Sequence, residues 1–447
     1  MSELEKSHLF YQSRQRRPRL ARAEGVYLWD VNGKQYLDGS SAAMVCNIGY
    51  SNPHVLGAMR RQMEISTFGY RLHFETEPGE ALAAKMATLA PGTLDRVFFV
   101  SGGSEAVESA IKLARQYKLA VGEAQRWKVI SRFPAYHGCT LGALALTGYP
   151  PMTAPFDPLI KQMPKIPSPR AYLDGLDKDD PETGRYYADM LEERIIAEGP
   201  ETVLAFIVEP IGGASTGCLM PPKGYMQRIR EICNQYNILL IHDEVISGGG
   251  RTGTFFAADN WNVTPDIIVL SKGFGAGYMP LGAVIAREDI AETVLEDGGF
   301  VHGHTYAGNP LACAAGLAVI EEIERQELMQ NSLVVGAQLE TRLKALMNRY
   351  HIIGDVRGMG LLQGFELVSD RSTMTPLPRD LDAHTKLVEA AYANGLIIYS
   401  RRSRGGYSGD HFLVAPPMIV TNKHVDEIIY KLTIALDQFG KSTGLGQ

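Results

Sequence analysis

Cysteine is scarce in this chain. Five thiols, at Cys46, Cys139, Cys218, Cys233 and Cys313, are spread over 447 residues. None forms a Cys-x-x-Cys pair, and an odd number cannot all close bonds within one chain. This argues against a disulfide framework or a structural zinc and leads us to expect a reducing compartment. Excess positive charge is missing as well: 44 Lys and Arg face 50 Asp and Glu, for a net charge of −6. No basic surface is therefore expected for nucleic acid or an anionic membrane. No apolar run approaches the length of a membrane span. The stretch from Met1 to Leu20 is polar and arginine-rich, without the apolar core of a secretory signal. We expect a soluble, cytoplasmic protein. Repeats and low-complexity tracts are lacking, as are the dinucleotide fingerprint and the lysine-bearing P-loop. In Gly248-Gly249-Gly250-Arg251-Thr252-Gly253, Thr254 stands where the P-loop needs lysine.

What is present is a globular composition, 45% hydrophobic and 21% charged. Residues up to about Arg22 read as an arm lying on another surface. Gly25 to Asp38 reads as a hairpin closed by Asn32-Gly33. From about Pro78, apolar β-branched runs (Val97–Val100, Lys128–Ile130, Val203–Val208, Ile238–Ile241, Ile267–Leu270) alternate with helical patterns. One helix over Ser104 to Tyr117 has apolar residues at Ala106, Val107, Ala110, Ile111, Ala114 and Tyr117. This alternation predicts an α/β fold with a mainly parallel sheet covered on both faces. Asp157 to Arg185, rich in Pro, Asp and Lys, reads as an excursion outside the core. After about Glu321 a long helix and short strands suggest a second, smaller α+β unit. The expected division is residues 1–60 as arm and hairpin packing with the small domain, 61–325 as the large domain and 326–447 as the C-terminal small domain.

In parallel sheets ligands bind beyond the carboxyl ends of the strands, and here those ends carry polar residues. Lys272 follows Ile267–Leu270 and precedes a glycine-rich stretch. Lysine shifts its pKa readily when desolvated, and a neutral amine attacks aldehydes. Asp243 ends another strand, where a carboxylate is costly unless a cation meets it. A plain Lys272–Asp243 ion pair is one reading; Asp243 holding a protonated heterocyclic nitrogen is the other. Ser101-Gly102-Gly103-Ser104-Glu105 opens a helix whose free N–H groups suit a phosphate, although an ordinary capping box fits the same letters. Glu209, another strand-end acid, reads as support. Together these residues describe a site for pyridoxal 5'-phosphate.

Six segments occur in order: Ser101–Lys112, Tyr136-His137-Gly138, Glu209-Pro210, Asp243-Glu244-Val245 with Gly250–Gly253, Ser271-Lys272-Gly273, and His304–Pro310. They resemble the class III aminotransferases, the omega-aminotransferase group of fold type I pyridoxal-phosphate enzymes, over nearly the whole chain. The resemblance implies that Lys272 is the Schiff-base lysine and Asp243 the pyridine-nitrogen partner. It implies that Gly103 and Ser104 hold the phosphate, and that Tyr136 and Val245 cover opposite faces of the ring. Thr305 would reach the phosphate of a neighbouring subunit's cofactor, giving a homodimer, or a tetramer of dimers, with shared active sites.

The implied reaction moves an amino group from an amine or omega-amino acid to a keto acid, pyruvate or 2-oxoglutarate, in two half-reactions through pyridoxamine phosphate. The family also places a mobile arginine before the Pro-Pro segment. Here Arg401, Arg402 and Arg404 are all candidates, with a solvated basic loop as the plain alternative. Met44 lies where many relatives carry tryptophan, and Phe68 and Phe74 are candidates for the amine pocket. Within the fold, an isomerase (aminomutase) or a lyase uses the same motifs. From another class, a metal hydrolase on His242-Asp243-Glu244 and His302-Gly303-His304 is disfavoured, because successive strand residues point to opposite faces. No metal site is expected.

Overall fold

The computed structural model describes residues 7–445; the beginning of the expected N-terminal arm, residues 1–6, lies outside them. Its centre is a seven-stranded sheet in the order Leu94–Val100, Gly282–Arg287, Ile267–Leu270, Leu239–Asp243, Val203–Val208, Lys128–Phe133, Lys165–Pro167. Gly282–Arg287 runs against both its neighbours and the other strands run one way. Every residue of Val203–Val208, Leu239–Asp243 and Ile267–Leu270 is buried, which is why these strands are nearly unbroken apolar runs. Side-chain alternation splits them between two covers. Ala205 and Ile207 pack with the helix Gly103–Ala120 through Val107, Ala110 and Ala114. Phe206 and Val208 pack with the helices Pro181–Glu198 and Tyr225–Gln235.

The expected excursion contributes to this sheet. Lys165–Pro167 adds an edge strand parallel to Lys128–Phe133, and Pro181 opens a helix capped by Asp180, whose carboxylate accepts the Glu182 N–H at 3.0 Å. Proline-flanked sequence is compatible with an edge, where no further ladder bond is needed, and with the first turn of a helix.

Tyr27–Asp30 and Gln35–Asp38 form the hairpin, with Asn32 N–H donating to Asp30 Oδ1 at 2.8 Å. Leu20–Glu24 extends that sheet on one side, and Leu396–Ile397 joins it in parallel on the other. The N-terminal strands thus share a sheet with the C-terminal region. A third, antiparallel sheet contains Ile353–Met359, Leu362–Asp370, Ser408–Val414 and Tyr399–Arg404. Against these pack the helices Leu328–Arg349, Ala383–Ala393 and Asn422–Thr443.

The Gly250–Gly253 turn is where these parts meet. Arg251 is fully buried and donates to the carbonyls of Leu361, Ala415 and Pro416, to Ser41 Oγ and to Asn47 Oδ1, at 2.6–3.0 Å. The glycine-rich segment that fails as a P-loop thus ties the segments around Ser41, Leu361 and Ala415 together.

Candidate active site

Because the strands run in parallel, Val100, Phe133, Val208, Asp243 and Leu270 end at the same edge of the sheet. Lys272 sits just past Leu270 with φ +47, a left-handed conformation that costs a non-glycine residue ~1–3 kcal/mol. Asn47 crowds the next residue: a Cβ on Gly273 would lie 2.1 Å from Asn47 Nδ2. Small residues around Lys272 are therefore a packing requirement of the turn that aims it. Burial pushes the Lys272 amine down to about 8, against the attraction of Asp243 and Glu209. Among the described residues no carboxylate lies within ion-pair distance of Nζ, so the plain Lys272–Asp243 ion pair is absent.

Asp243 is held by other groups. Its Oδ2 lies 2.8 Å from His137 Nδ1, and Oδ1 accepts the Val245 N–H at 3.1 Å. Each carboxylate oxygen keeps a free lone pair for a further donor. His137, part of a motif in which only Tyr136 drew attention, is thus the residue that orients Asp243. Its backbone N–H donates to Thr147 Oγ1 at 3.0 Å. Glu209 accepts from the Gly213 N–H at 2.9 Å and the Tyr136 N–H at 3.4 Å, so it shapes the loops around the site. Burial, partly offset by His137 and Arg132, raises its pKa.

The capping-box reading fails. The helix Gly103–Ala120 starts from Gly102 with no side-chain cap, and Glu105 instead accepts the Ser101 N–H at 2.8 Å. Its first N–H groups therefore remain available for an anion. A Cβ on Gly102 would meet nothing within 4 Å, whereas one on Gly103 would lie 3.1 Å from both Val245 methyl carbons. Open backbone on one side and a valine wall on the other form a cradle. Ser104 Oγ edges it and accepts the Cys139 N–H at 3.0 Å.

Lys272 opens on a cavity of about 250 Å³ whose lining includes Met44, Tyr136, Tyr149, Ile246, Tyr399 and Arg401. Met44 is buried and has φ +56, next to Ser41 and Ala42, which are also left-handed. The three arginine candidates separate. Arg402 pairs with Asp382 and Asp410, each at 3.2 Å, and Arg404 with Glu366 at 3.2 Å. Arg401 alone lines the cavity, its guanidinium 4.8 Å from the centre of the Tyr399 ring. Strand alternation explains the separation of Arg401 from Arg402, a signal present in the sequence but unreadable without knowing which face meets the site.

Phe68 and Thr305 do not line this cavity. Both are exposed, with Phe68 set 5.7 Å from the Tyr306 ring. Phe74 is exposed too. His242 lies in the core, where burial lowers it to about 3, and Glu244 accepts the N–H groups of Ala257 and Ala258. His302 meets Ser109 Oγ at 2.9 Å.

The uncapped helix end suits a phosphate, and the buried, unpaired Lys272 amine, opening on a cavity lined by Tyr136, suits an aldehyde. The donor set therefore suits pyridoxal phosphate.

Comparison with known proteins agrees with this chemistry. The profile of the family aminotransferase class III matches residues 11–436. The aminotransferase YodT of Bacillus subtilis is 38% identical over 92% of this chain and 93% of its own length. The putrescine–pyruvate aminotransferase of Pseudomonas aeruginosa is 35% identical over 94% and 90%. A thermostable (S)-enantioselective omega-transaminase from Thermomicrobium roseum superposes with a TM-score of 0.90 at 37% identity, covering 97% of this chain and 96% of its own. An amine transaminase from an uncultivated Pseudomonas, solved in its pyridoxal-phosphate-bound form, superposes with a TM-score of 0.91 at 32% identity over 97% and 99%. Amino-group transfer is what these relatives are named for, which leaves the isomerase and lyase alternatives unsupported. The chain belongs to the class III aminotransferases, enzymes dependent on pyridoxal phosphate.

Proposed function

We propose that this enzyme moves the amino group of an amine or omega-amino acid to pyruvate or 2-oxoglutarate, with Lys272 as both cofactor anchor and proton carrier. The observation that carries this is the Lys272 amine: buried, unpaired, lowered to about 8 and opening on a cavity. When bound, the cofactor supplies an aldehyde that condenses with amines and a ring that draws electrons from the neighbouring carbon. Gly103, Ser104 and the first turn of their helix hold its phosphate. Tyr136 and Val245 would take the two faces of the ring, Asp243 would keep the ring nitrogen protonated, and Glu209 supports the Tyr136 loop.

Lys272 Nζ would accept the proton from the substrate carbon that bears the nitrogen and give it up again on the other side of that nitrogen. A lysine whose pKa burial has lowered toward the working pH is suited to this. Arg401 is the carboxylate ligand, since Arg402 and Arg404 are engaged in ion pairs. Met44 forms an adaptable apolar wall of the amine pocket.

The active unit is a homodimer. Thr305, Phe68 and Tyr306 are exposed on one surface, joined by the Asn309 Nδ2 bond to the Thr67 carbonyl at 3.2 Å. An apolar groove of about 760 Å³ adjoins them. A second copy would cover this surface and receive Thr305 at its phosphate and Phe68 at its amine pocket. The cytoplasm is the compartment consistent with five unpaired thiols, and no helix among the described residues is long and apolar enough to cross a membrane.

The test is a donor panel with pyruvate and 2-oxoglutarate, following nitrogen. One equivalent of new amino acid should appear for each carbonyl product released from the donor. Product accumulating without any acceptor would refute this function.

A further inference from the structure

Tyr149 is one of the buried cavity residues, and its hydrogen bonding is incomplete. Its hydroxyl accepts the Arg402 backbone N–H at 3.3 Å, which uses one lone pair. The hydroxyl proton finds no acceptor among the described residues, and a buried phenol ordinarily has one. The ring is fixed on its other side. Gly406, with φ +81, lies so close that a Cβ there would be 2.9 Å from Tyr149 Cζ and 2.6 Å from Pro151 Cγ. The hairpin formed by Tyr399–Arg404 and Ser408–Val414 is therefore seated on Tyr149, which holds the strand one residue past Arg401.

The cavity's polar lining is all of one kind. It consists of the Tyr136, Tyr149 and Tyr399 phenols, Ser215, the Lys272 amine and the Arg401 guanidinium, and no carboxylate among the described residues lines it. Arg401 donates only to its neighbour's carbonyl, Ser400 O, at 3.3 Å. A guanidinium without an anion and a phenol without an acceptor line the same cavity, a pair of donors suited to the two oxygens of a carboxylate.

We infer that Tyr149 is a substrate-binding residue, donating its hydroxyl hydrogen bond to the carboxylate that Arg401 also grips, whether in a keto acid or in an omega-amino acid. This deepens the proposed function and rests on it. Tyr149 acts directly as well as by holding the Arg401 strand, and the two roles separate experimentally.

The experiment uses the cofactor-loaded enzyme as four proteins: unchanged, Tyr149→Phe, Arg401→Met and the double variant. Phenylalanine keeps the ring against Gly406 and Pro151, and thermal unfolding of each protein checks that the fold survives. Two quantities are read: the ratio of specificity constants for pyruvate and propanal as acceptors, and the inhibition constant of propionate, an unreactive carboxylate. Tyr149→Phe should lower the ratio about tenfold and weaken propionate by a similar factor, as expected for a hydrogen bond to a charged group. A loss should remain in the Arg401→Met background, though changed in size because both groups share one carboxylate. If it vanishes there, Tyr149 works only through Arg401 and the inference fails. It fails equally if pyruvate and propanal lose together, or if propionate binding does not change. A loaded enzyme that passes no nitrogen to either pyruvate or 2-oxoglutarate would refute the proposed function instead, whatever Tyr149 does.

Discussion

Glu366 and Asp243 are both buried strand carboxylates, yet their surroundings differ in kind. Glu366 accepts from Arg357 at 3.0 Å, Arg404 at 3.2 Å, Tyr172 at 2.9 Å and Ser403 at 3.0 Å. Burial alone would raise its pKa; Arg357 and Arg404 outweigh that and hold it below the usual range. Asp243 has one histidine and one backbone N–H, and its nearest strand-end lysine is unpaired. The Glu366 carboxylate is saturated by four side-chain donors and so fixes geometry. The other region keeps spare capacity on Asp243, on Lys272 and at the helix end beside Gly103. That incompleteness, more than the residue types, separates a binding site from a structural network.

Substitution should break the two regions in different ways. The largest effect is expected at Lys272: Lys272→Ala should cut amino transfer at least ~10³-fold, with an unfolding midpoint no lower than that of the unchanged protein. Glu366→Ala should do the reverse first, costing ~3–5 kcal/mol in urea unfolding, because two guanidinium groups lose their shared partner. Equal stability losses at the two positions would erase the contrast. A smaller effect sharpens it within one strand. Arg401→Met should raise the KM for pyruvate ~10-fold or more, while Arg402→Met, which loosens the Asp382 and Asp410 contacts, should change it only about twofold or less.

The smallest effect is a pH slope. The Lys272 amine is lowered in the folded chain to about 8 from an ordinary value near 10.5. The unfolded state therefore holds more protons between these values, and stability rises with pH across that window. In the cofactor-free protein, Lys272→Met should be more stable than the unchanged chain at pH 7. The gap should close as pH climbs from about 8 toward 10.5, in parallel thermal melts.

The strand ends were legible in the sequence because parallel strands in an α/β sheet must deliver their last residues to one edge. Lys272, Asp243, Glu209 and the Gly103 cradle could be grouped before any coordinates. The tie made by Arg251 was not legible, since its five acceptors come from residues between 41 and 416, and no local pattern signals such convergence. Choosing among Arg401, Arg402 and Arg404 failed for a related reason: alternation gives two faces, and only tertiary packing says which one meets the cavity. His137 was hidden in plain view. Its ring reaches a carboxylate 106 positions away, through a sheet order that hydrophobic runs do not specify. The excursion Asp157 to Arg185 concealed an edge strand because three residues carry too little periodicity to read.

The most direct test is to load the protein with pyridoxal phosphate, reduce it with borohydride, digest it and map the cofactor mass. The expected result is a single modified peptide, with the pyridoxyl group on Lys272, and no such label in Lys272→Ala. Label on a different lysine of the unchanged protein, or undiminished label in the alanine variant, would contradict the assignment of Lys272 as the anchor of the site.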